Sequence, residues 1–84
     1  MLVTIGSITT AERLARIIER GTGSRAAVVH TPASINKGGC SYSVRFNDSY
    51  ENDVKRLIRE YNVRVKRFYR EGLSGGGRVY HDIS

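Results

Sequence analysis

The sequence predicts an α+β domain of βαββαβ order, a four-stranded antiparallel sheet with two helices on one face. The prediction rests on two stretches whose apolar residues recur at helical spacing and four short stretches rich in β-formers, interleaved along a chain of 84 residues. So short a chain makes one small domain, burying only about 60% of the surface its unfolded form exposes. An enclosed multi-residue active site would leave it little core.

Leu2-Val3-Thr4-Ile5 reads as the first strand, stopped by Gly6-Ser7. Thr9 with Glu12 forms a capping-box pair; Ala11, Leu14, Ala15 and Ile18 supply the apolar stripe of the first helix, and Gly21 its stop. Ala26 to His30 is the second strand, ended by Thr31-Pro32 because proline cannot donate to a ladder. A single helical turn over Pro32 to Ile35 and a glycine turn at Asn36 to Gly39 lead into the third strand, Cys40 to Phe46, where larger apolar residues alternate with Ser41, Ser43 and Arg45. Asn47-Asp48-Ser49 caps a second helix whose stripe is Tyr50, Val54, Leu57, Ile58 and Tyr61. Val63 to Tyr69 is the fourth strand, with an imperfect alternation that calls for a bulge. This is the split βαβ order of ferredoxin-like folds, occupying residues 1–71; the Gly-rich run Gly75-Gly76-Gly77 reads residues 72–84 as a flexible C-terminal tail.

Composition narrows the function classes. Fourteen Lys+Arg against 8 Asp+Glu give a formal charge of +6, which favours acidic partners, whether nucleic acid or protein. Cys40 is the single cysteine, so no internal disulfide or all-cysteine metal site forms, and a reducing cytoplasm fits. No apolar run approaches the ~18 residues of a membrane span, and no secretory signal opens the chain, so a soluble cytoplasmic protein without membrane contact is expected. There is no carboxylate pair, triad or metal cluster, and the reading calls for a non-enzyme without cofactor or metal.

In the expected fold one sheet edge gathers the end of strand one, the start of helix one, the end of strand two and the start of strand three. Gly6-Ser7, Thr9-Thr10, His30-Thr31-Pro32 and Gly38-Gly39-Cys40 are therefore expected neighbours. A thiol near the positive end of a helix has its thiolate favoured, and His30 could serve it as base or counter-ion. Strand phase alone groups Cys40 with Tyr42, Val44 and Phe46 as a core residue.

The motifs Ser7-Ile8-Thr9-Thr10-Ala11-Glu12, Thr31-Pro32, Gly39-Cys40-Ser41-Tyr42 and Phe68-Tyr69-Arg70-Glu71 stand in an order and spacing that resembles the selenium/sulfur carrier protein-like family. The resemblance covers Val3 to about Glu71. It implies that Cys40 holds sulfur or selenium as a persulfide or selenopersulfide, taken from a cysteine desulfurase or a selenium-metabolism enzyme and passed to an acceptor. Gly38, Gly39, Thr9, Thr10, His30, Thr31 and Pro32 would then support the thiol.

Two other classes compete. Arg64, Lys66, Arg67 and Arg70 with Lys55, Arg56 and Arg59 make the second half basic, and RNA-recognition domains share this element order. Those domains expose aromatics on strand three where this chain has Ser41 and Ser43, so no sequence-specific nucleic-acid binding is expected. The third class is a regulatory or oligomerising module that forms a homodimer through the sheet face lined by Ser41, Ser43 and Arg45.

Overall fold

The computed structural model describes residues 1–36, 39 and 41–84; Lys37, Gly38 and Cys40 lie outside the described residues. The chain forms β1 (Leu2–Ile5), α1 (Ile8–Thr22), β2 (Ala26–His30), β3 (Tyr42–Phe46), a 3-10 turn (Asp48–Tyr50), α2 (Glu51–Glu60), β4 (Phe68–Ser74) and β5 (Gly77–Asp82). All pairings are antiparallel, in the order β2-β3-β1-β4-β5. No helix of the described residues is long and apolar enough to cross a membrane.

β1 is central. Val3 and Ile5 join Val44 and Phe46 under the helices, meeting Ala11, Leu14, Ala15 and Ile18 of α1 and Val54 and Ile58 of α2. Leu14 and Val54 are fully buried and Leu57 nearly so, which sets both helices by their apolar stripes as the spacing predicts. Gly21 lies within α1 rather than ending it. A Cβ there would stand 2.7 Å from Leu57 Cδ1, so this glycine lets α2 close on α1. The stop falls to Gly23, in the left-handed region at φ 71°, whose N–H donates to Glu19 O. At the other end Ser7, not Thr9, is the cap: its backbone is extended and its Oγ accepts from Thr10 N at 3.5 Å. Serine ranks above threonine as an N-cap and stands one residue after the strand-ending glycine.

α2 ends in a Schellman arrangement. Asn62 is left-handed at φ 51°, and Val63 N–H donates to Ile58 O while Asn62 N–H donates to Arg59 O. From there residues 63–67 approach β1 without forming a regular strand, so the fourth strand starts at Phe68 rather than Val63. Thr4 O accepts from Lys66 N and Thr4 N donates to Arg67 O, which sets two residues against one, the β-bulge the imperfect alternation calls for. Arg67 N donates instead to Thr4 Oγ1 at 3.1 Å, so the side chain satisfies the amide that the bulge displaces.

The sheet has five strands, not four. Residues 77–82, expected in a tail, pair with β4 from Ser74↔Gly77 to Tyr69↔Asp82. Gly75 and Gly76 have φ of 57° and 81°, so two consecutive positive-φ residues make the two-residue hairpin turn that a right-twisted strand pair needs. The glycines serve geometry there. Arg67 binds Asp82 at 2.8 Å across the hairpin, and Ile83 packs against the core.

The face away from the helices is closed at its centre. Leu2 and Ser43 are fully buried and Thr4 nearly so, although Ser43 and Arg45 are expected to line an open surface. Arg45 grips Glu71 of β4 through Nε at 3.0 Å and Nη2 at 3.1 Å, with Arg78 of β5 at 3.5 Å from the same carboxylate. Burial pushes the Glu71 carboxyl up, but the hydrogen bonds and charge of Arg45, the Met1 amino group and Arg78 together hold it below the ordinary glutamate value. A carboxyl depressed on folding stabilises the fold above its unfolded value, and that contribution is lost as the pH falls through the folded one. Glu71→Gln should therefore be less stable than the parent at pH 7, and the gap in urea midpoint should close as the pH drops below the glutamate range.

Candidate functional site

The register aligns one sheet edge residue by residue. Ile5 at the end of β1 pairs with Tyr42 at the start of β3, and Tyr42 pairs with His30 at the end of β2. Thr31 N–H donates to Ser41 O at 2.9 Å, carrying the β2–β3 pairing one residue further. α1 starts beside them, two residues beyond Gly6. The expected meeting of strand ends and helix start is present in the described residues: Thr9 and Thr10 lie in the first turn of α1, and His30, Thr31 and Pro32 leave β2. Gly39 is exposed with φ 79°, where glycine is favoured. Gly38 and Cys40 lie outside the described residues.

The side chains divide by role. Thr31 is 7% exposed and its Oγ1 shares a 2.8 Å hydrogen bond with Ser43 Oγ, also buried. That pair fixes the point where the loop leaves β2, so Thr31 acts on the framework rather than at the surface. Pro32 O accepts from Ile35 N, closing the turn the Thr-Pro pair predicts. His30 is exposed and its ring lies 5.5 Å from that of Tyr42, tilted by 33°. Thr9 is exposed and Thr10 half-buried, with the Thr10 amide held by Ser7.

On the other flank of β1 the structure brings Val63 to Lys66 to this edge, where the sequence reading does not place them. Ile5, Gly6, Ser7 and Thr10 face Val63, Arg64, Val65 and Lys66 across a groove of about 460 Å³. Ile5 and the valines give it an apolar floor; Arg64 and Lys66 are exposed along it. The first turn of an α-helix leaves N–H groups without intrahelical partners and carries partial positive charge, so this end of the molecule is electropositive and suits a thiolate or other anion. Antiparallel pairing of the first and fourth strands was the available signal, since it sets the segment after α2 beside the end of β1. Among the described residues no group of three or more His, Cys, Asp or Glu side chains could hold a metal ion.

Tyr42 and Phe46 pack on the helix side of β3, and Ser43 is buried on the other. β3 thus lacks the outward aromatic pair on which RNA-recognition domains stack bases.

A sequence model of the family described as Putative Se/S carrier protein-like matches residues 1–70. The chain belongs to this family. The match takes in β1 to the start of β4, with the whole sheet edge and Cys40, while β5 lies beyond it. No curated protein and no solved structure gives a match.

The buried hydroxyl pair gives a direct test of the edge. Thr31→Val should cost about 1–3 kcal/mol in urea unfolding by leaving Ser43 Oγ without a partner, and adding Ser43→Ala should recover part of that loss.

Proposed function

We propose that the protein is a stoichiometric carrier that holds sulfur or selenium on Cys40 as a persulfide or selenopersulfide. Membership of the Se/S carrier-like family across residues 1–70 is the observation that carries this reading. The chemistry agrees with it. Cys40 is the only cysteine, so nothing within the chain can resolve a loaded thiol as a disulfide. Gly39 and Ser41, its neighbours in sequence, belong to the sheet edge at which α1 begins.

Loading is an exchange. The Cys40 thiolate attacks the terminal sulfur of a donor persulfide, a new S–S bond forms as the donor's breaks, and the donor leaves as a thiolate, with no net oxidation. Unloading repeats the step with an acceptor thiol. A cysteine desulfurase or an equivalent selenium-handling enzyme is the donor class this requires, and a reducing compartment is where a lone thiol would stay free. His30, Thr9 and Thr10 are the polar groups we assign to the thiol's surroundings, with Thr31 and Pro32 holding the loop. We read β1 to β4 with the two helices as ferredoxin-like and β5 as an added edge strand; the order β2-β3-β1-β4 supports this.

Intact mass spectrometry of protein purified without reductant should show an increment of one sulfur or one selenium atom, removed by reductant and absent in Cys40→Ser. The alkylation rate of the unloaded thiol should follow a titration midpoint below the ordinary ~8.5 of a free cysteine. A midpoint at or above that value, or a thiol that reacts only after unfolding, would overturn the carrier reading.

A further inference from the structure

The basic residues of the fold differ in whether they meet a carboxylate. On β3, α2 and β5 and at the start of β4, Arg45, Lys55, Arg56, Arg67, Arg70 and Arg78 each stand within ion-pair distance of a glutamate or aspartate, whereas among the described residues Arg25, Arg59, Arg64 and Lys66 stand singly at loops and at the end of α2. Arg13, Arg16 and Arg20 of α1 have no carboxylate within that distance among the described residues. Their spacing of three and four places them along one side of the helix, where like charges repel. Glu12 and Glu19 lie on the outer flank of that ridge, and Glu19 is engaged with the amide of Ala26 at 3.2 Å.

The ridge borders a groove. Between α1 and the end of α2, Arg13, Arg16 and Arg20 stand over Ile17, Gly21, Leu57 and Tyr61, enclosing about 270 Å³. Gly21 lets Leu57 form its floor, since a Cβ there would collide with Leu57. Tyr61 is 50% exposed and forms one wall, and Arg13 Nη2 donates to Tyr61 O at 3.0 Å, fixing that corner. Arginine and tyrosine around a small apolar floor are the composition of a protein-binding hot spot.

We propose that the α1–α2 groove docks an acidic segment of a partner protein, with carboxylates on Arg16 and Arg20 and one apolar side chain seated between Ile17, Leu57 and Tyr61. Charge complementarity selects acid, and the apolar floor selects a peptide side chain over a phosphate backbone. The ridge from Arg13 to Arg20 is also short, about 10 Å at the rise of an α-helix, which suits a peptide of one or two turns better than a nucleic-acid track. The surface goes beyond the carrier reading, because docking requires no chemistry at Cys40.

The test is fluorescence anisotropy of a labelled acidic dodecapeptide of glutamates around a central leucine, with a short oligothymidylate as competitor. Saturable binding is expected, weakened about tenfold by Arg16→Gln/Arg20→Gln and left within about twofold by the charge-matched Arg56→Gln/Arg78→Gln. Replacing the central leucine by glutamine, or Tyr61 by alanine, should each weaken it at least about threefold, and Tyr61→Ala carries the test if the arginine pair disturbs thermal unfolding. Cys40→Ser should bind the peptide as the parent does, so the docking surface and the carrier chemistry succeed or fail separately. No saturation by about 1 mM peptide, equal loss in both glutamine pairs, or tighter binding of the oligothymidylate would overturn the proposal.

Discussion

β1 is buried on both faces of the sheet, and a strand in that position has to satisfy its backbone on both edges. All four of its residues pair with β3 on one side and Leu2 and Val3 pair with β4 on the other, so the chain returns to β1 twice, from the β2–β3 hairpin and again after α2. Thr4 carries most of this constraint. Its N–H and carbonyl serve the bulge at Lys66 and Arg67, while its hydroxyl takes the amide the bulge displaces. The bulge in turn ends regular pairing where the connection from α2 arrives, and that leaves the groove beside Ser7 and Thr10 open.

The candidate site depends on the same strand. The end of β1 delivers the start of α1 to the edge where β2 leaves the sheet and β3 enters it, and the buried Thr31–Ser43 hydroxyl pair pins that edge from the far side. A carrier has to expose a reactive atom while keeping a stable core, and 84 residues allow no deep cleft. On the proposed carrier reading, the rim of the sheet where β2 ends and β3 begins would meet both demands, with the start of α1 contributing positive potential.

Charge is divided between support and surface. The Arg45–Glu71 fork, joined by Arg78, ties the β4–β5 hairpin to β3, and Glu51 links Lys55 to Arg70 between α2 and β4. Exposed pairs of this kind contribute little singly; in the Glu71 cluster the carboxylate is mostly shielded while the two guanidinium groups reach solvent, over the face of the sheet that the helices do not cover. The excess positive charge is left on α1 and around the end of α2.

The sequence by itself determined what short-range periodicity and spacing encode: two amphipathic helices from their apolar stripes, β1 to β3 from runs of β-formers, the bulge from a broken alternation, and the family from motifs spread from Ser7 to Glu71. The helix ends were less legible. Ser7 and Thr9, like Gly21 and Gly23, offer equivalent local signals, and the choice was made by where β1 stops and by the need of Leu57 to pack over Gly21. β5 was hidden for a related reason. Gly75-Gly76 reads equally as a loose linker or as a tight turn until Arg78 to Asp82 has a partner strand to pair with. The closed sheet face, the groove beside Arg64 and Lys66 and the bare arginine ridge on α1 were decided only by the tertiary structure, because each depends on residues far apart in sequence, and the distance between their side chains is set by packing rather than by any local preference of the chain.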